Sequence, residues 1–319
     1  MNRFVFPIIA LALVLLPLGV QSDVVLTILV FAYLQGMLAV SFNLIFGFAG
    51  QLSMFHAAAF GIGAYATHLS IKHFSLSYWG AVAFAALFVG ALSVVVGTIC
   101  FRFRLKEFYF AVVTLAFSEM ARLTVLNWNS VTNGSLGINL QEKATFWLPG
   151  SGVVPIEGSI AWYYVSLTAL AATLVVCWRI VHSWMGRCLA AIRLNDELGD
   201  TLGINVFRYK LAAFVAASVF ASVAGSLYAY YLGSLEPGFL SIDQSLGIIA
   251  MVLLGGRSAV AAPVLGAIML TALPHVIHFS AEVRSIVYGA ILIFTILVMP
   301  QGLYGTAVRI LGRRSHAVA

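Results

Sequence analysis

Residues 183–209 read SWMGRCLAAIRLNDELGDTLGINVFRY, a charged and glycine-punctuated island between two apolar runs at about 159–181 and 209–231. Five acidic or basic residues fall between Arg187 and Asp200, and Arg208 and Lys210 follow. Each flanking run is long enough to cross the roughly 30 Å hydrocarbon core of a bilayer as a helix. A chain that leaves the membrane, spends so many charges and then re-enters it is polytopic. The polarity of the island implies contact with something soluble.

The rest of the 319-residue chain agrees. It is 62% hydrophobic and only 9% charged, with a mean hydropathy of +1.02. Repeated apolar runs of about 20 residues mark an all-α polytopic membrane protein. The short alternating strands of a membrane β-barrel are missing from the pattern. Ten apolar segments can be drawn, at about 4–20, 24–47, 54–71, 79–101, 108–127, 159–181, 209–231, 242–255, 261–278 and 283–299. Several are short or broken, as at Gly47 and Gly50 and at Gly255-Gly256, and read as transmembrane or partly spanning helices. The first segment also fits a signal peptide, with Arg3 ahead of an apolar stretch; counting it as a span makes the topology consistent. The whole chain is then one transmembrane domain. Its first half is about 1–127, an external loop about 128–158, its second half about 159–303 and a tail 304–319. Five spans on each side of the loop are compatible with an inverted 5+5 repeat. The loop, rich in Gly, Asn, Ser and Pro, reads as an ordered segment with turns.

Charge sets the orientation. Of 17 basic residues, Arg3, Arg102, Arg104, Lys106, Arg179, Arg187, Arg193, Arg208, Lys210, Arg257, Arg309, Arg313 and Arg314 fall on one side if the N-terminus is inside. Lys72, Lys143 and Arg284 fall on the other, and Arg122 lies within a span. By the positive-inside rule both termini and the island are cytoplasmic. The net charge of +6 reflects this bias in the loops; it does not point to nucleic acid. Cys100, Cys177 and Cys188 supply no framework of pairs and read as reduced structural thiols.

No catalytic constellation is present. The chain has no G-x-x-x-x-G-K-[ST] phosphate loop and no G-x-S-x-G elbow. His56, His68 and His73 do not share a helix face at metal-ligand spacing, so neither catalytic nor metal residues are assigned. Uphill transport would draw on a coupling ion or on a partner ATPase. In the island, Met185, Leu189 and Ile192 recur at helical spacing, as do Leu194, Leu198 and Leu202. Gly186 and Gly203 bracket a stretch of about four turns, which predicts one short helix on the cytoplasmic surface. Either a partner contact or an interfacial connector at the lipid surface fits that pattern.

The run GRCLAAIRLNDELGDTLGINVFRYKL resembles the cytoplasmic loop of permease subunits of branched-chain amino acid ABC importers. That family carries G-R-x-L-x-A-I-R-x-N-E, running into A-L-G-I-N and R-Y-K-L. Gly186, Arg187, Leu189, Ala191, Ile192, Arg193, Asn195, Leu202, Gly203, Ile204, Asn205, Arg208, Tyr209, Lys210 and Leu211 match. Asp196 stands where Glu is usual, and Glu197-Leu198-Gly199-Asp200 replaces a more Ala-rich run. Gly199 costs roughly 1 kcal/mol of helix propensity relative to Ala. Residues 41–66 resemble the family's L-N-L-x-x-G-x-x-G-Q-x-S-x-G-H-A segment, with Phe55 where Gly is common. Residues 108–138 resemble F-A-x-x-T-L-A-F-x-E leading into T-G-G-S-x-G-L, with Asn133 for the first Gly. Residues 254–267 resemble G-G-x-G-S-x-x-G-P-x-x-G-A, departing at Ala259 and Ala262.

The resemblance implies a coupling element at 183–209 that docks on an ATPase through Gly186, Arg187, Ala191, Ile192, Arg193, Asn195, Asp196, Leu202 and Gly203. It also implies a second homologous permease subunit, two cytoplasmic ATPase subunits carrying the ATP and Mg2+, and an external solute-binding protein. The setting would be a bacterial inner membrane. The cargo would be a branched-chain amino acid, with urea, short amides or sugars as alternatives, and no cofactor would sit on this chain. Asn43, Gln51, Ser53, His56 and Glu119 are polar groups in or beside apolar spans. They are candidates for the solute path or for hydrogen bonds between helices, and Glu119 is placed to pair with Arg122 three residues on. An ion-coupled secondary transporter or channel is the alternative class.

Overall fold

The computed structural model describes residues 12–17, 19, 22–105, 107–140, 144–148, 152–156 and 158–276, with short runs and single residues between 286 and 309. Most of the expected segment 4–20 and about half of 283–299 lie outside the described residues. So do Arg3, Lys106, Lys143, Arg284, Arg313 and Arg314.

The other eight apolar segments are helices. In chain order they are α1 (Asp23–Asn43), α2 (Phe55–Phe74), α3 (Tyr78–Arg102), α4 (Glu107–Asn127), α6 (Ser159–His182), α9 (Val206–Leu232), α10 (Ile242–Gly255) and α11 (Ala262–Val276). Between them lie a single turn, α5 (Asn129–Thr132), and the two island helices α7 (Trp184–Leu194) and α8 (Asp196–Thr201). Among the described residues, five stretches are long and apolar enough to cross a membrane: 23–48, 78–102, 108–127, 159–182 and 206–232. Helices α10 and α11, of 14 and 15 residues, reach only about 21–23 Å at 1.5 Å per residue.

Helix α1 is the centre. Every residue from Ala32 to Asn43 is buried, as expected of a helix that is apolar all round. Helices α6, α9 and α11 pack around it, and α2 and α3 pack on α9. The α2–α9 contact is a meeting of small residues. A Cβ on Gly225 would overlap the Phe60 carbonyl, and one on Gly63 would overlap Ser222. The backbones are therefore close enough for Thr67 Oγ1 and Ser226 Oγ to share a 2.7 Å hydrogen bond. Close approach of this kind supplies dispersion contact where lipid offers no hydrophobic drive. The run Ala57-Ala58-Ala59 with Gly61, Gly63 and Ala64 serves that purpose.

The loop after α4 is ordered by turns. Asn133 (φ +60°) and Gly134 and Gly137 (φ +57° and +69°) take left-handed conformations. Asn133 also donates Nδ2 to the Gly137 carbonyl at 2.7 Å. Asn tolerates the left-handed region better than other residues with a side chain, which explains why it can replace glycine there. Two short antiparallel pairs follow. Strand β1 (Ile138–Asn139) pairs with β4 (Ser234–Leu235), and β2 (Thr145–Leu148) pairs with β3 (Gly152–Pro155). The β1–β4 pair ties this loop to the end of α9. Cys100, Cys177 and Cys188 are buried and unbridged.

Candidate functional site

At the opposite end, the close of α1, the α3–α4 connection, the α10–α11 turn and the island converge. The expected single helix from Gly186 to Gly203 is two helices. Asn195 breaks it: its backbone is extended (φ −162°, ψ 116°), and its Oδ1 accepts from the Glu197 and Leu198 amides at 2.9 and 3.1 Å. The side chain thus caps α8, with Asp196 and Glu197 in the first turn where the helix dipole favours acids. The cap outcompetes continuation of α7. Gly203, at φ +77°, ends α8: its amide donates to the Asp200 carbonyl and Ile204 donates to Gly199. Asn205 then caps α9 by accepting from the Arg208 amide at 3.0 Å.

The inner face of α7 is Cys188, Leu189 and Ile192, all buried. Gly186 is required at the α6–α7 corner, since a Cβ there would overlap the Val181 carbonyl. Arg187 lies over the Trp184 ring, 5.3 Å from its centroid. Ala191 is half-buried beside these residues.

Three polar contacts brace the island. Arg193 Nη1 donates to the Gly47 carbonyl at 2.5 Å. Lys210 Nζ, on a side chain only 5% exposed, pairs with Asp196. Arg104, from the α3–α4 connection, pairs with Asp200 at 3.0 Å. Two of the three acids that depart from the family pattern, Asp196 and Asp200, therefore hold the island to α9 and to the α3–α4 connection. A cavity of about 500 Å³, lined by Gln51, Arg104, Ile192, Arg193, Asn195 and Asp196, lies beneath it.

The leucines do the reverse of what helical amphipathicity leads one to expect. Leu194, at the end of α7, Leu198, within α8, and Leu202, just after it, are 87%, 57% and 68% exposed.

The candidate path residues fall in two places. Asn43, Gln51, Ser53 and His56 are all buried in or beside the α1–α2 connection. Asn43 Nδ2 donates to the Ala259 carbonyl at 3.2 Å, and Ser53 Oγ accepts from the Phe55 amide at 3.3 Å. His56 Nε2 lies 2.9 Å from Ser41 Oγ, and the Gln51 amide donates to the Ile45 carbonyl at 3.0 Å. Phe55, the departure in this motif, is 1% exposed with its ring 5.7 Å from Phe214. Glu119 stands apart on α4. Arg122 grips its carboxylate with Nε at 3.0 and 2.8 Å and with Nη2, and both side chains are about one-third exposed. The residue reading missed Lys210, Arg104 and the Gly47 carbonyl as part of the site. For Lys210 a signal was available, a lysine next to a long apolar run.

A family described as the branched-chain amino acid transport system permease component matches residues 24–296. The chain belongs to that family. It is 28% identical over 284 residues to the high-affinity branched-chain amino acid transport system permease protein LivM of Escherichia coli, covering 83% of this chain. This chain spans 66%, just under two thirds, of that relative's length. It is 24% identical to the E. coli permease protein LivH over 287 residues, 84% of this chain and 90% of LivH. Among solved structures, PsaBC from Streptococcus pneumoniae in complex with Fab superposes with a TM-score of 0.46 at 13% identity, covering 89% of this chain and 94% of that one.

Proposed function

We propose that this chain is a transmembrane permease subunit of an ATP-driven ABC importer. It forms half of a path for branched-chain amino acids and couples to an ATPase through residues 183–209. A second homologous permease completes the path, two cytoplasmic ATPases bind ATP and Mg2+, and an external binding protein delivers the solute. About ten spans, arranged as two inverted sets of five, put both termini and the island in the cytoplasm of a bacterial inner membrane. Helix α4 faces the second permease: it is the least buried of the five long apolar stretches, with 22% of its window covered, and it presents Glu119 and Arg122.

The observation that carries this reading is the exposure of Leu194, Leu198 and Leu202 on the island. Three largely exposed leucines on an element braced by Arg193, Asp196 and Asp200 are apolar surface for a soluble partner to cover, at the basic end of the bundle. The family relationship supports both the transport role and the cargo. The ion-coupled alternative would use buried carboxylates near broken helices. Among the described residues the buried polar side chains include none, and Glu119 is held by Arg122.

The test is reconstitution with the sister permease, the ATPases and the binding protein in proteoliposomes. Uptake of labelled leucine is expected only with ATP inside reach of the ATPases. The L194S/L198S/L202S variant is expected to lose ATPase association while remaining folded. Uptake by this chain driven by a Na+ or H+ gradient without any ATPase would overturn the proposal.

A further inference from the structure

The last turn of α1 is wide. Residues Leu44–Phe48 form a π-helical turn, and the Gln51 amide, which an α-helix would direct to the Gly47 carbonyl, donates instead to Ile45 at 3.0 Å. The Gly47 carbonyl thus loses its helical donor, an unsatisfied group at a helix C-terminus. Arg193 fills the vacancy from 146 residues away with the 2.5 Å bond from Nη1. A guanidinium at this position also meets the negative end of a long helix dipole.

The stem of Arg193 runs across Gly50. A Cβ on Gly50, whose φ is +71°, would lie 3.0 Å from Arg193 Cγ and 3.5 Å from its Cβ. On the other side, a Cβ on Gly47 would lie 3.0 Å from the Arg257 carbonyl, and Asn43 holds the Ala259 carbonyl. The end of α1 is therefore clamped between the island and the α10–α11 turn. Neighbouring residues divide the work: Leu194 is 87% exposed, while Arg193, also an exposed residue, spends a guanidinium donor on the end of α1.

Building on the proposed function, we infer that Arg193 is a positioning residue that tethers the coupling island to the end of α1. It is not a docking contact for the ATPase. Displacement of the island by a partner is carried through this charge-assisted bond to the central helix, whose continuation at Leu44–Phe48 is already loosened. Helix α1 touches α6, α9 and α11, so its movement reaches most of the bundle.

The test uses the full chain in the reconstituted complex. R193M keeps the stem length and removes the donors. ATPase association is expected to stay within about two-fold of wild type, and ATP hydrolysis to continue, while solute moved per ATP hydrolysed falls at least ten-fold. R193K, which keeps a donor and a charge, is expected to recover part of the loss. Unchanged uptake per ATP in R193M would overturn the tether. So would loss of ATPase association, which would make Arg193 a docking residue. Wild-type chain that binds no ATPase would instead defeat the proposed function. If R193M does not fold, R193Q carries the test: it keeps an amide donor of shorter reach and no charge, and is expected to lower uptake per ATP with ATPase association kept. Unchanged uptake per ATP in R193Q, or loss of ATPase association, overturns the inference.

Discussion

Removing the carboxylate of Asp196 tests the brace that the structure places between α8 and α9. Lys210 sits in the second turn of α9 with its side chain 5% exposed, and Asp196 is 52% exposed. Breaking a fully buried pair by deleting one partner costs about 3–5 kcal/mol, mostly because a charge is left buried and alone. Here the acid is half in water and the lysine stem can swing toward the surface. Discounting by about half puts D196N at roughly 1.5–2.5 kcal/mol. The Arg104–Asp200 pair gives the internal control. Its arginine is 81% exposed and its acid 38%, so D200N is expected to cost less than about 1 kcal/mol. Unfolding in mixed SDS–detergent micelles would measure D196N, K210M and the double variant as a cycle. The double variant is expected to be more stable than the sum of the singles predicts, by about 1 kcal/mol or more. Additivity within about 0.5 kcal/mol, the behaviour of independent sites, would refute the argument. So would a D200N cost equal to that of D196N.

Two further substitutions separate the glycines of the island. Gly199 is in α8, and a Cβ there would make ordinary contacts with Val206 and Ile192 at 3.5 and 3.6 Å. G199A is therefore expected to stabilise by a few tenths to about 1 kcal/mol, whereas G203A, at φ +77° with open space around it, is expected to destabilise by about 1 kcal/mol; the same unfolding assay reads both. In the loop, N133G is expected to be close to neutral, while N133V, a β-branched residue forced to φ +60°, is expected to lose about 1–3 kcal/mol, read as a lower thermal midpoint in detergent.

What the sequence made legible was set by range. Apolar runs fix helices locally, and the eight described segments begin and end within about three residues of the apolar stretches. The left-handed Asn133 and the small faces of α2 and α9 also follow from residue type. The break at Asn195 was legible in part, since Asn followed by Asp and Glu is a helix start. Two bracketing glycines argued instead for one helix. The bond from Arg193 to Gly47 was not legible at all. It joins positions 146 apart and depends on a wide turn that no residue pattern announces. Of the candidate path residues, Asn43, Gln51, Ser53 and His56 share one region because a single connection carries them. Glu119 is apart because α4 lies on the edge of the bundle.

The polarity of 183–209 invites the reading that its charges face water and its leucines face protein. The braces alter this. Arg193, Asp196 and Asp200, though exposed, each bond to another part of the chain, and Leu194, Leu198 and Leu202 face out. Fully burying a leucine contributes about 1.5–3 kcal/mol, so three at 57–87% exposure leave roughly 3–6 kcal/mol unrealised in the chain alone. A connector lying on its own protein could recover that gain by rolling about its axis, and the three polar contacts prevent the roll. Because the contacts lie on both α7 and α8, and reach α1, α9 and the α3–α4 connection, losing any one leaves two to resist it. On the proposed function, a partner that covers these leucines would collect the withheld apolar energy and, through Arg193, act on the end of the central helix.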